Sequence, residues 1–323
     1  MIDQITSLHS SDAKHLREIL DAYFMKKIMV LQVLTYRLCC FNIKRTYVLS
    51  ADWRGDFMEA HEIKHESDII ISNYYRYYSS FALSGIVEHH EGKVSWIMPK
   101  EGENGPQLGF RIYLNEETAE KDVRDMIEAI RAKVMPQQWI ITPDVTPSNI
   151  MSIMEAHGFQ NLSADSPESE PAMLLNKHDF RPNVPKDTSV TCRRVTSKED
   201  FKVWIDIVNQ ALHGWDMIDA DNYYIWVKNE DLTIYLGEIN GVPVATAATI
   251  QTRNTGSLEF VSTLSDYRRR KAAITVCSIA VDELLKNGAD TVTLGACGES
   301  SLLYQQLGFH RCFHNIIMKY DNM

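Results

Sequence analysis

The chain has 323 residues, 45% hydrophobic and 24% charged, with 15 glycines and 10 prolines. These values fit a globular protein of about two domains and exclude disordered, collagen-like and repeat-fibre classes. The formal net charge is −10, with 18 basic against 26 acidic side chains in residues 1–180 and 15 against 17 in the remainder, a balance that disfavours a nucleic-acid partner.

The N-terminal stretch Met1 to His15 carries Asp3, Asp12 and Lys14 and lacks the apolar core of a secretory signal. The longest apolar run, Ile28 to Leu34, is broken by Gln32 and is far shorter than a bilayer requires, so no membrane partner and a cytoplasmic location are expected. Six cysteines without a C-x-x-C pair (Cys39, Cys40, Cys192, Cys277, Cys297, Cys312) read as reduced, buried thiols.

The run Tyr74, Tyr75, Tyr77, Tyr78 reads as a sheet or interface surface. Phe81 to Glu88 and Lys93 to Met98 form a predicted hairpin around His89-His90-Glu91-Gly92. Next come a strand at Phe110 to Leu114, a helix at Glu116 to Val134, a strand at Trp139 to Thr142 and a helix at Pro147 to His157, closed by Gly158-Phe159. A polar stretch with Pro167, Pro171, Pro182 and Pro185 makes a connector over about residues 163–188, with a short strand at Ala172 to Leu175.

After the connector, Val190 to Val195 is a predicted strand, and Ser197 with Glu199 and Asp200 opens a helix bearing Phe201, Trp204, Ile205, Val208 and Leu212. A helical stretch at Ala220 to Lys228 precedes strands at Leu232 to Ile239 and Val242 to Ile250, joined at Asn240-Gly241, a dipeptide suited to a tight hairpin. A strand at Leu258 to Thr263, a helix at Arg270 to Asn287, a strand at Thr291 to Leu294, a helix at Ser300 to Leu307 and a strand region ending near Tyr320 complete the chain. Gly308-Phe309 matches Gly158-Phe159 at an offset of 150, and the surrounding elements keep that spacing, as an internal duplication gives.

Chemistry concentrates where the strand ending at Thr263 passes into Arg268-Arg269-Arg270-Lys271-Ala272-Ala273. Free amides and the macrodipole at a helix start, with added cations, make a receptor for phosphate. This segment, Val261-Ser262-Thr263 before it, and the closing Leu303-Tyr304-Gln305-Gln306-Leu307-Gly308-Phe309 resemble the GNAT (N-acetyltransferase) superfamily, most specifically over residues 257–309. The family's loop signature is Arg/Gln-x-x-Gly-x-Gly/Ala. Arg268 takes its first position and Ala273 its last, while Lys271 stands where the middle glycine belongs.

The resemblance implies an α/β fold of tandem GNAT-like domains, each a mixed central β-sheet flanked by helices: a degenerate copy at 1–180 and an acetyl-CoA-binding domain at 186–323. It implies acetyl-CoA as co-substrate and a primary amine of a small molecule or peptide as acceptor. Tyr304 is then the candidate acid for the departing thiolate, and Glu259, expected on an exposed strand face, the candidate base. Val261, Ser262, Thr263, Arg268, Arg269, Arg270, Lys271, Ala272 and Ala273 are the candidate cofactor contacts, with backbone near Val261 and Thr263 serving the pantetheine arm. Lys271 leaves a noncatalytic acyl-CoA-binding module as the alternative. The first half has Met154 where the second has Tyr304, and Asn115-Glu116-Glu117 where the second has its arginines. Finally, His61-Glu62-Ile63-Lys64-His65 has zinc-peptidase spacing, but Lys64, Glu66 and Asp68 give it a solvated character, and no metal is expected.

Overall fold

The computed structural model describes residues 60–163, 170–186, 189–297 and 300–321, and the chain from His61 onward forms one compact unit. Helix α1 (Ala60–Ser80) leads into a sheet whose strands are β1 (Val87–His90), β2 (Val94–Pro99), β3 (Leu108–Ile112), β4 (Gln138–Ile141) and β5 (Phe159–Asn161), with α2 (Ala119–Arg131) and α3 (Ile150–Ala156) packed on it. The tyrosine run lies on α1 and not in a sheet, and Phe81–Ser84 is a 3-10 turn that delays the first hairpin strand to Val87.

β6 (Pro171–Asn176) and β7 (Val190–Arg194) precede α4 (Lys198–Val208) and the short α5 (Ala220–Tyr223). The Ser197 side chain accepts the Asp200 amide and so caps α4 as the sequence indicates. Residues 209–213 continue α4 as a π turn, which rotates Leu212 out of the apolar stripe and leaves it 41% exposed. The remaining elements are β8 (Leu232–Ile239), β9 (Val242–Thr252), β10 (Thr255–Thr263), α6 (Ala272–Lys286), β11 (Thr291–Gly295), α7 (Ser301–Leu307), β12 (His310–His314) and β13 (Ile316–Tyr320). Asn240 and Gly241 both take positive φ at the β8–β9 turn.

The architecture is α/β with two mixed sheets. Their strand orders are β1-β2-β3-β4-β13-β5 and β12-β6-β11-β10-β9-β8-β7. Each sheet has one parallel pair, β3–β4 and β10–β11, among antiparallel neighbours. The sheets exchange strands reciprocally. β6 enters the second sheet between β11 and β12, and β13 enters the first between β4 and β5. The limits 1–180 and 186–323 therefore cut across both sheets: β6, inside the connector, belongs to the second sheet, and β13, at the end of the second half, belongs to the first.

Packing follows the exchange. Met173 and Leu175 of β6 join the core beneath α6, while Met318 and Tyr320 of β13 join the core beneath α2 and α3. A third core, rich in aromatics, is shared by both halves: Phe81, Ile97 and Phe110 meet Trp204, Tyr223, Trp226 and Phe260. The repeated Gly-Phe pair has a mechanical reason. Gly158 and Gly308 follow α3 and α7 at φ 97° and 104°, a left-handed conformation that glycine adopts without a Cβ penalty, and Phe159 and Phe309 then bury in equivalent cores.

Candidate active site

β10 is the axis of the site. It pairs with parallel β11 only from Thr255 to Ser257, opposite Thr291 to Thr293, and thereafter runs alone with β9 as far as Thr263, while β11 pairs with β6 along its whole length. A wedge opens between the two parallel strands. A bulge between Glu259 and Ser262, with Phe260 at φ 52°, re-aims the strand at this point. The Thr246 hydroxyl fixes the bulge, donating to the Phe260 carbonyl at 2.7 Å and meeting Ser262 Oγ at 2.6 Å. Val261 packs toward the core under α6, and Thr263 Oγ1 is buried without a partner.

At the wedge mouth, Arg268 Nε donates to the Thr263 carbonyl at 3.2 Å, and the Arg270 guanidinium lies 5.3 Å from the centre of the Tyr267 ring. Arg268, Arg269, Arg270 and Lys271 are exposed, and none has an ion-pair partner among the described residues. Arg269 and Lys271 have φ 60° and 68°, so the chain keeps the left-handed kink of a glycine loop although no glycine is present. That conformation costs a side-chain-bearing residue about 1 kcal/mol. Lys271 is the residue before α6, and no side chain caps the helix, so the amides of Ala272, Ala273 and Ile274 are left for another acceptor. Ala272 is buried and Ala273 half-buried, which seats the helix start firmly on the sheet.

Glu259 departs from expectation. It is only 9% exposed, its Oε1 is buried without a partner, and burial raises its carboxyl pKa to about 8 against a weaker lowering by Ser257. Its cover comes from α1. Asn73 Nδ2 reaches the Gly256 carbonyl at 3.0 Å and Thr293 Oγ1 at 2.9 Å, holding the helix across the sheet, and Tyr74, Tyr77 and Tyr78 all lie in the field of Glu259. Tyr304 on α7 is buried against Phe309, and its hydroxyl has no hydrogen-bond partner among the described residues. Burial holds that phenol protonated well above the ordinary tyrosine range, with Glu259 among the charges acting on it. The structure thus brings Glu259 and Tyr304 within electrostatic reach of each other, beside the wedge.

Sequence reasoning missed Tyr77, Tyr78 and Glu170 as neighbours of this site. Glu170 is pushed up by burial, against a hydrogen bond from Cys297 at 3.8 Å. Cys297 is exposed, contrary to the expectation of uniformly buried thiols; Cys192 and Cys312 are half-buried, Cys277 is buried, and Cys39 and Cys40 lie outside the described residues.

The acetyltransferase (GNAT) family model matches residues 201–309, spanning α4, the wedge, the cationic loop and the Tyr304 segment. The C-terminal region is a GNAT domain. Among solved structures the chain is similar to a GCN5-related N-acetyltransferase from Kribbella flavida, at 18% identity and TM-score 0.60 over 79% of this chain and 95% of that one. It is also similar to a GCN5-related N-acetyltransferase from Sphaerobacter thermophilus, at 16% identity and TM-score 0.52 over 70% and 79% of the two chains. A tandem GNAT protein from the clavulanic acid biosynthesis pathway aligns at 8% identity and TM-score 0.52 over 80% of this chain and 94% of that one. These likenesses establish the fold, with two GNAT-like halves. No curated protein matches the chain.

Proposed function

We propose that the GNAT domain binds acetyl-CoA and transfers its acetyl group to a primary amine of a small molecule or peptide by direct attack. The single observation that carries this reading is the wedge between β10 and β11, with uncapped helix amides and, at its mouth, four cations without an ion-pair partner among the described residues. The residues fit the co-substrate. Arg268, Arg269, Arg270 and the amides before α6 would hold its diphosphate, with the Lys271 side chain swung outward to leave room; Ser262 and the backbone of Val261 and Thr263, on β10 beyond its last pairing with β11, would take the arm. When bound, acetyl-CoA supplies the activated acyl group.

Glu259 accepts the amine proton, a task suited to a carboxylate whose pKa stands near working pH. Tyr304, held as the neutral phenol, donates to the departing sulfur. The aromatic cover from α1 shields the neighbourhood of Glu259 from water.

Calorimetric titration with acetyl-CoA, followed by thiol release over an amine panel, tests the proposal. Binding with amine-dependent release is expected, and no binding at saturating ligand overturns it. The second reading, a noncatalytic acyl-CoA-binding module, is favoured by the lysine in the left-handed loop position, and is the outcome if acetyl-CoA binds while release stays at background.

A further inference from the structure

The zinc-peptidase spacing at His61 to His65 draws attention to the start of α1, where the side chains of His61 and Glu62 lie outside the described residues and His65 is exposed. One residue further, the fold assembles a different donor set. His310 and Cys312 stand two residues apart on β12, and Glu66 of α1 meets both side chains. We propose that Glu66, His310 and Cys312 form a binding site for a zinc-type divalent cation that fastens α1 to the edge of the second sheet.

Distances support the assignment. His310 Nε2 is 2.9 Å from Glu66 Oε2, Cys312 Sγ is 3.4 Å from the same oxygen, and the three ligand atoms all lie within 4.8 Å of one another. In a tetrahedral zinc site with bonds of about 2.0 to 2.3 Å, neighbouring donors are about 3.3 to 3.6 Å apart. The Glu66–His310 and Glu66–Cys312 pairs need open by only a few tenths of an ångström to reach that spacing.

Charge and donor type point the same way. A carboxylate, a thiolate and a neutral imidazole around a divalent cation sum to zero, which suits three half-buried side chains. An O, N, S set matches zinc and excludes calcium and magnesium, which take oxygen. With three protein ligands, the fourth position belongs to solvent. Glu66 stands seven residues before Asn73 and so shares its helix face, which makes the site the distal anchor of the helix that covers Glu259.

The test uses the full chain stripped by a chelator and titrated with cobalt(II). A thiolate-to-cobalt absorption band is expected, abolished by zinc(II) in competition, with one equivalent of zinc retained after desalting. Zinc should raise the melting temperature of the wild type and of His65→Ala. In Cys312→Ser the band disappears, and in His310→Ala affinity falls by roughly tenfold or more. Absence of the band in the wild type overturns the proposal, as does a band surviving unchanged in the Cys312→Ser, His310→Ala double variant; both readouts are independent of acetyl transfer.

Discussion

The two halves fold alike and differ where the parallel strands should part. In the second sheet β10 and β11 separate after Ser257 and leave a wedge. In the first, the segments just beyond β3 and β4 are stitched together by a Tyr113–Thr146 bridge in which the Leu114 amide donates to the Thr146 carbonyl at 2.9 Å and the Thr146 amide to that of Ile112 at 3.0 Å. Tyr113 then hydrogen-bonds Asp144 across the gap, with the Arg111 guanidinium 4.4 Å from the Tyr113 ring centre. Where the second half offers arginines, the first offers Asn115, Glu116 and Glu117. The same topology can therefore be open and cationic, or zipped and acidic. A fold supplies the wedge's position, and a handful of residues decide whether it exists.

The largest effect should come from separating the halves. Expressed alone, residues 186–323 lack β6 and leave Leu294 and Phe313 without their strand partner, so a cooperative thermal transition should vanish; co-expression with residues 1–185 should restore it. Next comes Tyr304→Phe, which should lower kcat about a hundredfold with little change in the KM for acetyl-CoA, whereas Met154→Leu at the equivalent place in the first half leaves kcat at wild type. Wild-type turnover in Tyr304→Phe removes its assignment as the acid.

Glu259 gives the third test. Its folded carboxyl sits at about 8 against an ordinary 4.5, so the folded state holds the proton more tightly and stability falls as pH rises between those values, by up to about 1.4 kcal/mol per unit. Glu259→Gln should flatten that fall in denaturant titrations, and should erase a rise in kcat/KM centred near pH 8. A rise that persists in the variant assigns the base elsewhere. Smallest is Lys271→Gly, expected to stabilise the fold by about 1 kcal/mol by relieving the left-handed φ, and to tighten acetyl-CoA binding measurably by calorimetry; unchanged affinity means the loop does not sense this side chain.

Local chemistry was readable from the chain. Asn240-Gly241 announced a turn, Ser197 a helix cap, and the paired Gly158-Phe159 and Gly308-Phe309 a duplication, because each depends on backbone preferences within a few residues. What depended on distant partners was not. The alternation in Ile316 to Tyr320 specifies a strand but not which sheet receives it, and Glu259 reads as solvated until α1, almost two hundred residues upstream, is laid over it. The donor set of Glu66, His310 and Cys312 spans 246 residues, beyond any motif spacing.

The reciprocal exchange of β6 and β13 bears on descent. Two identical ancestors that traded their last strands across a twofold axis become, once joined head to tail, a single chain with this connectivity. In such a chain neither copy can be discarded, since erasing one would tear an interior ribbon out of the other's sheet. The upkeep of each is enforced by carpentry.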